Sequence, residues 1–151
     1  MIVGPATAFP CICARLRRTT RRVSQIYDRH LEPHGLTISQ FGVMAQVRAG
    51  DAPSIGQLAD RMVMDPTTLT RALRPLERRG LLTLTPDPAD RRTRRLALTE
   101  PGRALLKSAR KGWEAAQAEV RAALGEEAST ALVLHLDDTL ARLGTVPAAE
   151  P

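Results

Sequence analysis

The sequence predicts a mainly α-helical fold carrying one small β-hairpin. Two observations predict it: apolar residues recur at helical intervals along most of the chain, and the spacing changes to strict alternation only after Gly80. A third agrees with them, since only 3% of the 151 residues are aromatic and a core must then be built mainly from Leu, Ala and Val. The length favours a single compact unit, and 43% hydrophobic residues exclude a mostly disordered chain.

From Pro10 to about Leu31, the positions Ile12, Leu16, Val23, Ile26, Tyr27 and Leu31 keep helical spacing, and Pro33 with Gly35 ends the run. The other face carries Arg15, Arg17, Arg18, Arg21, Arg22 and Arg29, which read as a solvated face or as a contact with DNA phosphates or a partner subunit's acids. Thr37 to Gln40 (TISQ) has the form of a capping box and opens a helix through Phe41, Met44, Ala45 and Val47 that ends at Gly50. Ser54 to Met62 (SIGQLADRM) opens on a second box, Ser54 with Gln57, and places Leu58 and Ala59 in the core.

Val63, Met64 and Asp65 then turn the chain into DPTTLTRALRPLERRG, with Asp65 as N-cap, Pro66 at the first helical position and Gly80 just past the end. Leu69, Leu73 and Leu76 form one apolar stripe, whereas Thr67, Arg71, Arg74 and Arg78 fall within an arc of roughly 60° on the opposite side. A lone arginine-rich helix is usually just a solvated one. Here a second short helix precedes it across a tight turn, which makes a helix-turn-helix whose second member is a recognition helix. Arg can pair bidentately with guanine O6 and N7, and Thr can bond a base edge or touch a thymine methyl. Pro75 removes the amide that would bond the Arg71 carbonyl, so the helix is expected to bend there or to steer its last turn into the next segment.

Beyond Gly80, Leu82 and Leu84 share one face of a strand, Leu96 and Leu98 share one face of another, and PDPADRRT lies between them. A hairpin directly after a recognition helix is a wing, from which Arg91, Arg92, Arg94 or Arg95 reaches the minor groove or its phosphates. Asp90 is expected to hold one of these arginines by an ion pair and so orient the wing.

Thr99 caps the next helix, with Glu100 and Pro101 in its first turn, and Leu105, Ala109, Trp113, Ala116 and Val120 carry it to about Ala123. Gly125 breaks it, and a last helix from Glu126 to Leu143 aligns Leu132, Leu136, Leu140 and Leu143 on one side. These long helices have more apolar surface than the winged unit can cover, and the surplus reads as a homodimer interface. Trp113 and Tyr27 are expected in the dimer core or a pocket wall. The organisation is thus an N-terminal helix belonging to the dimerisation region (1–36), a winged helix-turn-helix DNA-binding domain (37–98), C-terminal dimerisation helices (99–143) and a disordered tail (144–151).

The net charge of +6 points to a polyanionic partner or merely to solubility, but its distribution is more telling. Basic residues crowd 15–29 and 61–95, while 126–151 carries five acids against one Arg, as in a protein with one face toward DNA. No apolar run reaches the length of a membrane span, the first thirteen residues lack the pattern of a secretory signal, and two cysteines make no disulfide framework. The cytoplasm is the expected compartment, with no membrane partner and no cofactor.

The segments LTISQFGVMAQV, SIGQLADRMVMDPTTLTRALRPLERRGLL and especially DPADRRTRRLALTEPGRALL resemble those of the MarR family of winged helix-turn-helix regulators, over about residues 12 to 143. The resemblance implies a triangular homodimer, joined through its terminal helices, on a pseudo-palindromic operator. Such proteins usually repress nearby genes and release DNA when a small aromatic compound, an oxidant or a metal binds. By family pattern the recognition residues fall on Thr67, Thr68, Thr70, Arg71 and Arg74, and a wing-tip pair on Asp90 and Arg92. The family's phenolic-ligand cleft has no diagnostic motif and is not carried over.

Cys11 and Cys13 are candidates for effector sensing and for capture of a soft metal or metalloid. If Pro10 begins the helix, both sulfurs lie near its N-terminus, and Arg15 and Arg17 each follow one of them by four residues, an arrangement that favours an anionic sulfur. Spaced two apart they point to opposite sides, so a bond across a dimer fits better than one within the helix. The more ordinary reading of the two is as small apolar fillers in a packed terminus. His30, His34 and His135 have no metal-ligand spacing, since Pro33 spoils the His30 and His34 pair. The expected function is a transcriptional regulator, a repressor released by a small effector, oxidant or soft metal. The alternatives are an architectural DNA-binding dimer without effector, or a thiol enzyme, against which stands the lack of a Cys and His pairing.

Overall fold

The computed structural model describes residues 11–49 and 52–144; the expected start at Pro10, the stop at Gly50 and the tail from residue 145 lie outside them. Helix α1 (Ile12–Leu31) passes through a short 3-10 turn (Glu32–His34) into α2 (Ile38–Ala49), followed by α3 (Ile55–Met62), α4 (Pro66–Arg78), strands β1 (Leu82–Pro86) and β2 (Arg94–Leu98), and the long helices α5 (Glu100–Leu124) and α6 (Glu126–Leu143). The fold is that of a winged helix, mainly α with one antiparallel hairpin.

Local capping chemistry sets most of these boundaries. The Thr37 hydroxyl accepts from the Gln40 amide at 3.2 Å, and the Gln40 side chain accepts from the Thr37 amide at 3.1 Å. Asp28 reaches over from α1 and accepts from the Ile38 amide at 2.7 Å, so a third donor of the α2 N-terminus is satisfied by a neighbouring helix. Ser54 and Gln57 form the same reciprocal box at α3, and Thr99 caps α5 by accepting from the Gly102 amide. At the far end of α4, Gly80 takes the left-handed conformation at φ 66°; its amide bonds the Glu77 carbonyl and the Leu81 amide bonds the Leu76 carbonyl, a complete Schellman stop.

The core forms where α2, α3, α4 and the hairpin meet α1 and α5. Leu31, Met44, Leu58, Leu69, Leu73, Leu76, Leu82 and Leu96 are fully buried there. Each such leucine contributes roughly 1.5–3 kcal/mol relative to exposure. The hairpin register sets Leu82 opposite Leu98 and Leu84 opposite Leu96, so the alternating leucines turn one sheet face onto this core. Two glycines let α5 approach closely. A Cβ at Gly102 would stand 1.9 Å from the Leu81 carbonyl oxygen, and one at Gly112 would stand 2.5 Å from that of His30. Trp113 stacks its ring on Phe41 of α2, centroids 6.1 Å apart, where α5 packs against the winged unit. Pro75 does not interrupt α4, which remains helical to Arg78.

Candidate nucleic-acid interface

The outward face of α4 is built from its cap upward. The Asp65 carboxylate accepts from the amides of Thr67 and Thr68 at 2.8 and 3.1 Å, so the first free donors of the helix are already occupied. Leu69, Leu73 and Leu76 are buried beneath, and this fixes the rotation of the helix. Thr67, Thr68, Arg71, Arg74 and Arg78 are left exposed, with Thr70 half-buried among them. Pro66, Thr67, Thr70, Arg71 and Arg74 together line one shallow hollow. Among the described residues no acid pairs with Arg71, Arg74 or Arg78. The face therefore presents uncompensated positive charge beside hydroxyl groups.

The turn before α4 is unusual. Val63 sits at φ 51° and is exposed, a left-handed conformation that a β-branched residue rarely adopts. It is held by the bonds of the Val63 amide to Asp60 and the Met64 amide to Ala59, with Leu58 and Leu69 buried on either side.

In the wing, the structure corrects two expectations. Asp90 does not pair with an arginine side chain; its carboxylate accepts from the Arg92 amide and the Thr93 hydroxyl, both at 3.0 Å, and thereby shapes the tip as a turn. The ion pair is made by Asp87, whose carboxylate meets Arg95 at 2.6 Å from Nε and 2.5 Å from Nη2. Arg95 also donates to Gln57 Oε1 at 3.2 Å and to the Ala52 carbonyl at 3.3 Å, so it cannot reach outward and instead ties the wing to the start of α3. Bonds to the Ala89 amide and to Arg95 hold the Asp87 carboxyl below the usual carboxylate range. Arg91, Arg92 and Arg94 stay exposed, and no acid among the described residues pairs with them.

Cys11 is the N-cap of α1 rather than a residue of its first turn, because the helix starts at Ile12; Cys13 lies in that turn and is exposed. Both are free thiols. Among the described residues no three His, Cys, Asp or Glu side chains gather as a metal site, and no helix is long and apolar enough to cross a membrane. His30 and Arg29 both bond Glu119 of α5, at 2.7 and 2.5 Å, and hold its carboxyl low; His34 faces Ser108. Ile12 and Leu16 of α1 and Leu132, Val133, Leu136, Leu140 and Leu143 of α6 are exposed. Tyr27, buried with its hydroxyl on Gln117, lines a cleft between α1, α5 and α6, and burial pushes that hydroxyl's pKa up against the opposing pull of Arg121.

Residues 36–93 match the family model described as MarR family. Among solved structures, the chain is similar to the M. tuberculosis transcriptional regulator MosR in complex with DNA, at 35% identity and TM-score 0.77, covering 90% of this chain and 99% of that one. The chain belongs to the MarR family. It is also similar to the transcriptional repressor CouR bound to a 23-mer DNA duplex, at 28% identity and TM-score 0.79, covering 86% of this chain and 92% of that one. The transcriptional regulator SarZ of Staphylococcus haemolyticus is 31% identical over 91 residues, which make up 60% of this chain and 62% of that protein.

For this MarR-family chain, sequence reasoning missed the Asp87 and Arg95 pair and its extension to Gln57. A signal was present, since Asp87 and Arg95 flank the hairpin tip near its base; but four arginines compete for two aspartates there, and only the three-dimensional register decides.

Proposed function

We propose that the chain regulates transcription as a homodimer that binds double-stranded DNA at a pseudo-palindromic operator. The observation that carries this reading is the exposed row of Thr67, Arg71, Arg74 and Arg78 on a helix whose other side is locked into the core, with no acid among the described residues pairing with its arginines. In the major groove, Arg71 and Arg74 would pair with guanine edges while Thr67, Thr68 and Thr70 meet neighbouring bases. Arg78, Arg91, Arg92 and Arg94 would take phosphates or the minor groove, with Asp90 fixing the shape of the tip that presents them. In this reading residues 37–98 form the DNA-binding domain, 1–36 and 99–143 dimerise, and 144–151 is a tail. The exposed leucines of α6 support the dimer, and the DNA bound to MosR and CouR supports the ligand.

The regulator acts in the cytoplasm as a repressor, without catalytic activity, and is released by a small effector, an oxidant or a soft metal or metalloid. Cys11 and Cys13 are the sensing groups we assign, since both are free and Cys13 is exposed at a helix N-terminus. Two measurements test this. Duplexes selected from a randomised pool should bind at least about a thousandfold more tightly than random DNA at the same salt; equal binding would leave only an architectural role. Replacing both cysteines by Ala should abolish release of the selected duplex by oxidant or metalloid, and undiminished release would remove the thiol assignment.

A further inference from the structure

We propose that Thr70 selects a thymine in each half-site through its γ-methyl group; the inference rests on the DNA-binding reading above. Three threonines open α4, and their hydroxyls are not equivalent. The amides of Thr67 and Thr68 are bound by Asp65, while their hydroxyls have no partner among the described residues. The Thr70 hydroxyl instead donates to the Pro66 carbonyl at 2.8 Å, one turn back along the same helix. With its proton directed into the helix, that hydroxyl has no donor to offer a base acceptor such as guanine O6 or thymine O4. What Thr70 has left for an outside surface is its γ-methyl and the free lone pair of that oxygen, which accepts only from an amino group such as that of adenine or cytosine.

Its neighbours make that surface a base edge rather than a phosphate. At helical spacing Thr67 and Arg74 lie on either side of Thr70 on one face, and together with Pro66 and Arg71 they line the hollow into which Thr70 opens. The charged groups of this hollow are the Arg71 and Arg74 guanidinium groups, assigned above to guanine edges, whereas Pro66 and the Thr70 methyl are the apolar groups of its lining residues. The base feature that fits these apolar groups is the thymine 5-methyl, which stands in the major groove and has no counterpart on the other three bases.

The test uses the full-length protein and a duplex selected by it, with each thymine replaced singly by deoxyuridine, and reads affinity by fluorescence anisotropy. The wild type should lose about fourfold at one thymine per half-site, the worth of one buried methyl group. Thr70→Val, which keeps the methyl and drops the hydroxyl, should show the same loss at that position. Thr70→Ser, which does the reverse, should be indifferent to it. Circular dichroism checks that both variants are folded. The inference is overturned if no thymine is sensitive in the wild type, if Thr70→Ser retains the sensitivity, or if Thr70→Val loses it. In each of those outcomes the selected duplex still binds, so the DNA-binding reading survives. Failure of the wild type to bind any selected duplex would end both.

Discussion

Within α4 and the wing arginine has two opposite roles, and the presence of a partner acid separates them. Arg95 meets an almost fully buried Asp87, whereas Arg71, Arg74, Arg78, Arg91, Arg92 and Arg94 meet no acid among the described residues. Replacing Arg71 by Ala should weaken binding to a selected duplex by about 1–3 kcal/mol and relax preference at one base position. Arg92→Ala should weaken binding to all sequences alike and reduce the slope of log affinity against log salt by about one. Arg95→Ala should act through the wing: the Asp87 carboxyl, titrated by NMR, should rise toward the ordinary value of about 3.9 yet stay below it, because the Ala89 amide still bonds it. The sign follows from the depressed folded value. The Asp87 and Arg95 pair contributes fully above the unfolded carboxylate pKa and is lost as pH falls through the folded one. Wing order should therefore be constant through neutral pH and loosen only in acid. Which arginines bind outward was only partly legible in the sequence: Arg71, Arg74 and Arg78 follow from helical periodicity, but the hairpin tip holds two aspartates among four arginines and periodicity cannot assign their partners.

At the scale of elements, boundaries were legible wherever one side chain closes one turn. Asp65, Ser54 with Gln57, Thr37 with Gln40, and Thr99 all act within three residues of themselves, so their sequence spacing carries their geometry. Contacts between distant elements were not legible, as the stacking of Trp113 on Phe41 and the reach of Asp28 to Ile38 both show. The strained turn at Val63 belongs to this second kind, because nothing in the residue type announces a left-handed conformation. Val63→Asn, a residue better suited to that conformation, should raise the free energy of unfolding in urea by about 1 kcal/mol. Gly102→Ala should do the reverse. Its methyl would meet the Leu81 backbone, which cannot rotate aside, and the overpacking should lower stability by about 3 kcal/mol, the upper end for such insertions.

On the surface of the molecule, cationic groups stand exposed on α4, on the wing and along α1, and large apolar groups on α6 and at Ile12 and Leu16 of α1. Exposed Leu132, Leu136, Leu140 and Leu143 lie on one side of α6, which no further element among the described residues covers. A second copy would bury this stripe and set two α4 helices at a fixed separation. Leu132→Asp with Leu136→Asp should then give a folded monomer by sedimentation, with operator affinity lost far more than the winged unit's helicity. The central claim is that fixed separation, and operator spacing tests it most directly. A selected inverted repeat should have half-site centres one helical turn apart, about 10 base pairs, and inserting five base pairs at its dyad should reduce affinity to that for random DNA. Undiminished affinity after the insertion, measured by anisotropy at the same salt, would contradict it.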